Sequence, residues 1–305
     1  LRKYIFQRYD RLDPELKEIL SKSAVIGQRF EQEILENPFD VQDADKMLQK
    51  IEELTRLIKE ERIGVYSFET VDSYRLITSA ISREELKKWH SILAEFYQRK
   101  LDGLYSARCN PDKKELLSLY ILIAKHNQYA GQHIVAISTY FRLIESRISI
   151  ADYDGAIANI MITRELCARC DARDPLLLLD QFEARCYFEV GDYKKALTLY
   201  SQSSSMDDKT GNWAGRQLEQ ACCYYMLGEN RIALQQAIEI KLWLEGHNLN
   251  NCLAYYKTLS FLASINDALN NSGEKRRLYI QALNFCKKYN YEKEYYVAIK
   301  KASMV

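Results

Sequence analysis

Glycine and proline are scarce in this chain, at 11 and 4 of 305 residues, against usual shares of about 7% and 5%. That shortage argues against a turn-rich sandwich, a barrel and a glycine-looped nucleotide fold, and it leaves a mostly helical chain. Neither sign of charge is in excess: 43 Lys+Arg face 42 Asp+Glu, a formal net charge of +1. No global basic field therefore draws the protein to nucleic acid or an anionic membrane. Long apolar runs are missing as well. The stretch Pro175 to Leu179 falls far short of the ~20 residues that span a bilayer, so no membrane role is expected. No charged-then-apolar export segment opens the chain, and its eight cysteines read as reduced thiols of a cytoplasmic protein. The chain begins at Leu1 without an initiator Met, which suggests a piece of something longer. The length itself allows two domains, or one domain joined to a repeat array.

The first hundred residues have their own texture. Asp13 caps a helix, Pro14 suits its first turn and Glu15 favours the positive end of its dipole. Leu16, Ile19, Leu20 and Ser23 through Ile26 form the apolar face, and Gly27 ends it. Phe30, Ile34 and Leu35 mark a second short helix before Asn37-Pro38. A third is expected from about Asp43 to Glu60, with Met47, Leu48, Ile51, Leu54, Leu57 and Ile58 at helical spacing. Ile63 to Phe68 alternates as a short β segment, with Gly64 permitting a tight turn. Three helices and a small β wing describe a winged helix; a plain helical bundle is the alternative. Val71, Tyr74, Ile77 and Ile81 continue as a helix, and Ser82-Arg83-Glu84-Glu85 reads as a capping box before Leu86, Trp89 and Leu93.

From residue 103 the chain repeats itself. Five segments share a small turn followed by Ala or Leu, starting at Gly131, Ala151, Gly191, Gly228 and Gly273. Their separations are 20, 40, 37 and 45 residues, where a standard tetratricopeptide (TPR) repeat has about 34. The physical need behind the pattern is close approach of antiparallel helices. Ala184 and Ala221 each stand twelve positions before an alanine of the following helix, Ala196 and Ala233. Tyr187, Tyr200 and Tyr224 fill the space beside them. No such repeat buries its apolar face alone, so the stack must be continuous. The reading is an all-α chain: a winged-helix-like adaptor over residues 1–102, then a TPR-like superhelix over 103–305.

Residue by residue, this arrangement resembles the winged-helix plus TPR region of STAND-class, LuxR-type regulatory ATPases. The family's opening pattern is matched by Leu12-Asp13-Pro14-Glu15, Leu20 and Ala24-Val25-Ile26-Gly27-Gln28-Arg29-Phe30. A later stretch is matched by Tyr66-Ser67-Phe68, Ile77, Ser82, Leu86, His90 and Leu93-Ala94-Glu95, and the junction into the repeats by His126 to Gly131. One departure is Glu69-Thr70-Val71-Asp72, where the family often has a histidine. No phosphate-binding Gly-x-x-x-x-Gly-Lys-Ser/Thr occurs, and the stretch Gly211 to Arg216 lacks the lysine. The resemblance thus implies a regulatory and sensing portion, with any ATPase module lying outside this chain.

Chemistry-bearing residues are few. Cys167-Ala168-Arg169-Cys170 is a lone CxxC without a second pair or a thioredoxin-like context, so helix packing is the simpler reading. His90, His126, His133 and His247 form no metal-binding spacing. No catalytic residues, metal ligands or cofactors are expected. The question of DNA turns on charge: residues 1–102 carry 18 Lys+Arg against 20 Asp+Glu, a net of −2, which disfavours nucleic acid. In TPR arrays the first helix of each repeat lines a concave groove. By position this places Gln181, Arg185, Phe188 and Glu189 there, then Leu218, Cys222, Tyr225 and Met226, then Asp267, Asn270 and Asn271. Such a mixed aromatic and polar surface suits an extended peptide, and Arg185 is suited to a carboxylate. The expected function is a non-catalytic sensor of a signal-transduction or transcription regulator, binding a protein, peptide or small effector. A DNA-binding regulator and a self-assembling oligomeric module are the alternatives.

Overall fold

The computed structural model describes residues 2–107, 111–202, 211–294 and 297, the side chains of 211 and 212 excepted. The chain is all-α in class, with one small sheet, and divides into two compact units, Leu1–Ser146 and Arg147–Val305. No helix among the described residues is long and apolar enough to cross a membrane.

The first unit opens with α1 (Arg2–Tyr9) and α2 (Pro14–Ile26). Asp13 caps α2 by accepting from the Leu16 amide at 2.9 Å, and Leu16, Leu20 and Ala24 are fully buried on its inner face. Then follow β1 (Arg29–Glu31), α3 (Gln32–Glu36), α4 (Ala44–Thr55), β2 (Ile58–Arg62) and β3 (Val65–Phe68). The strands form an antiparallel sheet in the order β1-β3-β2, with Phe30 opposite Tyr66 and Ile58 opposite Phe68. Gly64 sits at φ 73 in the β2–β3 turn, a left-handed conformation that glycine adopts without steric cost.

Three boundaries differ from the sequence-based expectation, the first being the β segment expected from Ile63, which begins only at Val65 with Ile63 and Gly64 in the turn. Phe30 lies on a strand, its ring stacked on Tyr66 at 6.0 Å, and the following helix starts only at Gln32. The helix expected to reach Glu60 ends at Thr55, where Arg56 turns left-handed at φ 50. Leu57 and Ile58 are buried either way, so helical spacing alone does not separate the two outcomes. The backbone partners supplied by β3 decide for a strand.

Beyond the sheet come α5 (Val71–Ala80), α6 (Arg83–Ala107), α7 (Lys113–Ala130) and α8 (His133–Ser149). The capping box before α6 forms as expected: the Glu85 amide donates to Ser82 Oγ at 3.2 Å, and the Ser82 hydroxyl donates to Glu85 Oε2 at 2.6 Å. Helix α6 runs along α7, burying Trp89, Leu93 and Tyr97 together with Tyr120, Ile123 and Ala124.

The second unit is built of α9 (Tyr153–Arg169), α10 (Asp174–Val190), α11 (Tyr193–Gln202), α12 (Gly211–Met226), α13 (Asn230–Gly246), α14 (Leu253–Ala268) and α15 (Ser272–Tyr289). Three antiparallel hairpins, α10/α11, α12/α13 and α14/α15, stack in sequence, each touching the next. Gly191 (φ 93) and Gly228 (φ 81) make the first two turns. Ala184, Ala196, Ala221 and Ala233 are all wholly buried. Ala184 and Ala196 meet in one cluster with Tyr200 and Cys223, so the paired backbones nest at the alanines. In the third hairpin the turn residue is Asn270 at φ 59, whereas Gly273 lies inside α15. Asparagine tolerates the left-handed region, and its neighbour Asn271 caps α15 by accepting from the Glu274 amide at 3.4 Å.

Candidate functional site

Helices α10, α12 and α14 are the first members of the three hairpins, and α12 also touches α14 directly. Counted back from each turn residue, Gln181, Leu218 and Ser260 are equivalent, as are Arg185, Cys222 and Ser264. Leu218, Cys222, Lys257, Ser260, Phe261 and Ser264 line a cavity of about 350 Å3. Tyr225 closes on Phe261 edge-on, with ring centroids 5.7 Å apart. Small hydroxyls on α14 therefore face a leucine and a thiol on α12, leaving room for a bound chain.

Glu219 on α12 is hydrogen-bonded to the phenol of Tyr200 on α11, and the charges of Arg185, Lys257 and Arg216 all bear on it. Loss of water pushes the Glu219 carboxyl above its ordinary pKa, against the opposing pull of those partners. Tyr200 is 2% exposed; burial first, and Glu219 next, drive its pKa up, so it stays a neutral donor. Burial also lifts the Cys222 thiol to about 12, which makes it an inert wall and not a nucleophile. A second cluster joins α9 to α10: Arg164 reaches Asp180 and Glu183, each at 2.7 Å.

The expected groove residues fall into three groups. Leu218, Cys222 and Tyr225 come together on α12, whereas Arg185 is exposed on α10 and does not line the cavity. Gln181 is half-buried on α10, Glu189 is exposed near its end, and Phe188 packs within its own hairpin on Tyr193 at 5.4 Å. Met226, 48% exposed, ends α12. Asn270 and Asn271 lie in the turn beyond α14, not on it, and Asp267 is held by Lys275 at 2.8 Å. Glu219, Lys257, Ser260, Phe261 and Ser264 were not anticipated. Aligning the third turn on Gly273 displaced the expected face by three residues; aligning it on Asn270 brings out Ser260 and Ser264.

In the first unit two histidines meet. His90 on α6 and His126 on α7 face each other through Nδ1 atoms 2.8 Å apart, both rings buried. Tyr97 stacks on His126 at 5.5 Å and Tyr129 on His90 at 5.0 Å. Desolvation, aided by Lys125, lowers His90 to about 4; desolvation, His90 and Lys125 lower His126 to about 3. The pair is therefore neutral at neutral pH, one ring donating to the other. Cys167 is buried in α9 and burial raises its thiol, while Cys170 donates to the Leu166 carbonyl at 3.0 Å. No group of three or more His, Cys, Asp or Glu suited to a metal ion occurs among the described residues.

No protein-family profile matches the sequence. No curated protein matches it either. Solved structures do resemble the fold. Aspartyl phosphate phosphatase F from Bacillus subtilis superposes with a TM-score of 0.54 at 11% identity, over 95% of this chain and 75% of that one. A Podospora anserina protein with nearly identical TPR-like repeats, named as a kinesin light chain, gives 0.50 at 14% identity over 68% of this chain and 97% of its own. A STAND protein with a TPR sensor from Pyrococcus horikoshii gives 0.48 at 13% identity, over 97% of this chain but only 54% of that protein, a score too low to assign a shared fold. The first two likenesses establish a TPR-like helical-repeat fold.

Proposed function

We propose that this chain is the sensing portion of a signal-transduction regulator, in which the groove of α10, α12 and α14 binds an extended peptide or protein segment without catalysis. The observation that carries the reading is the equivalence of groove positions across successive hairpins, which gives a bound chain a repeated register of wall residues. The helix–strand–helix–helix–hairpin order from α2 to β3 supports reading residues 1–102 as a winged-helix-like adaptor. The family motifs quoted from the sequence support a STAND-type context, in which the adaptor couples binding to a separate ATPase module.

Phage display of random decapeptides on the full chain tests the reading. Enriched peptides are expected to bind with micromolar affinity and to lose at least about tenfold on Ser264→Trp, which fills the cavity, with circular dichroism unchanged. No enrichment over the bare support overturns it.

A further inference from the structure

A separate cavity, of about 340 Å3, lies in the first unit between the sheet and helices α2, α3, α6 and α7. Its walls are apolar, built by Ile26, Phe30, Ile34, Val65 and Leu122. Charged side chains line it as well: Arg29, Arg62, Lys100 and Glu31. Two of these charges are already answered by the protein. Arg29 pairs with Glu61 at 3.0 Å, and Lys100 with Glu33 at 3.7 Å. Arg62 and Glu31, both exposed, make no ion pair or side-chain hydrogen bond with any described residue.

The strand register explains why these two charges share one cavity without meeting. Glu31 of β1 and Arg62 of β2 are each paired with Val65 of the central strand, one on either side of it. Residues directly opposite in an antiparallel ladder send their side chains to one face. Two strand spacings, about 10 Å, separate the two backbones, so opposite charges flank an apolar floor. A third group faces the same space. Tyr97 on α6 is 6% exposed yet lines the cavity, and its hydroxyl has no hydrogen-bond partner among the described residues. A hydroxyl held away from water in this way gains from a ligand that accepts its proton. The ring is fixed in place, stacked on His126 at 5.5 Å and edge-on to Phe96 at 5.3 Å. Burial, followed by the charge of Glu31, pushes the phenol up to about 12, so it stays a donor at neutral pH.

These open groups name the chemistry of the ligand. A lone anion satisfies Arg62 and is repelled by Glu31, a lone cation does the reverse, and a zwitterion satisfies both. The apolar walls add a second requirement, an apolar substituent. We propose that this cavity binds a free amino acid with an apolar side chain: carboxylate on Arg62 and the Tyr97 hydroxyl, ammonium on Glu31, side chain against Ile26, Ile34 and Leu122. The site shares no residue with the groove of the second unit and does not depend on the peptide-binding reading.

Titration calorimetry of the full chain with L-leucine and L-phenylalanine is expected to give a Kd below about 1 mM for at least one of them. Glycine lacks the apolar contact, and the amide and the N-acetyl derivative of the bound amino acid each lack one charge. All three are expected to bind at least about tenfold more weakly. Arg62→Gln and Glu31→Gln alter exposed side chains, and each is expected to weaken binding about tenfold with circular dichroism unchanged. Tyr97→Phe keeps the ring and is expected to cost about fivefold. Absence of heat from both amino acids up to about 10 mM overturns the proposal. Equal binding of the amide or the N-acetyl derivative overturns the zwitterion, and unchanged affinity in both charge variants overturns its placement on Arg62 and Glu31.

Discussion

At the scale of single residues, the sharpest chemistry lies in the His90–His126 contact. The unfolded chain holds each ring near the ordinary pKa of about 6.5, whereas the fold lowers them to about 4 and about 3, by burial first. Burial thus favours the neutral pair, whose contribution is complete above about pH 6.5 and is lost as pH falls towards 4, because there the unfolded chain binds protons the folded one refuses. Lys125 adds to the repulsion, and aromatic faces of Tyr97 and Tyr129 stack on the two rings. The loss is on the order of 3 kcal/mol for each ring. Thermal melts at pH 7.0 and 4.5 are expected to show the wild type falling by more than His126→Leu, whose buried side chain does not titrate; parallel shifts would contradict this account. Both histidines were visible in the sequence as motif positions. Their meeting was not, since they stand 36 residues apart and only the pairing of α6 with α7 brings them together.

At the scale of elements, α4 is the helix that the proposed winged-helix reading makes the recognition helix. It carries Asp45, Glu52 and Glu53 against Lys46 and Lys50, and Asp45 also accepts from the buried Tyr66 hydroxyl at 3.1 Å. Phosphate contact needs a net positive face, so an electrophoretic shift assay with random duplex at low salt is expected to show no complex. A salt-sensitive shift would restore the DNA-binding alternative. Caps and apolar spacing located α2, α5, α6 and the start of α4 from sequence. The strands were harder: Phe30 and Ile58 pair with residues 36 and 10 positions away, and a short apolar segment reads alike as helix or strand until its partner is known. The third hairpin was misaligned for a related reason. Glycine is the usual signal of a left-handed turn, but Asn270 took that role and Gly273 became an ordinary helical residue.

At the scale of the molecule, each compact unit carries its own chemistry: the buried histidine pair in the first, the groove between α12 and α14 in the second. Neither presents a glycine-rich phosphate loop followed by lysine and serine or threonine, and the sequence contains no such motif anywhere. Titration calorimetry with ATP and magnesium is accordingly expected to detect no binding in the micromolar range. Micromolar heats would contradict the reading of a sensor whose nucleotide chemistry belongs to a separate module.

The shortage of glycine and proline, the near balance of charge and the recurring small-residue turns already determined an all-α chain with stacked hairpins, because those features act through local backbone preference and helix-helix spacing. Only the tertiary structure decided which faces meet. It set Leu218 and Cys222 of α12 beside Ser260 and Ser264 of α14, and it set His90 against His126. Burial and through-space charge depend on neighbours that lie far apart along the chain, and no local pattern in the sequence encodes their distance.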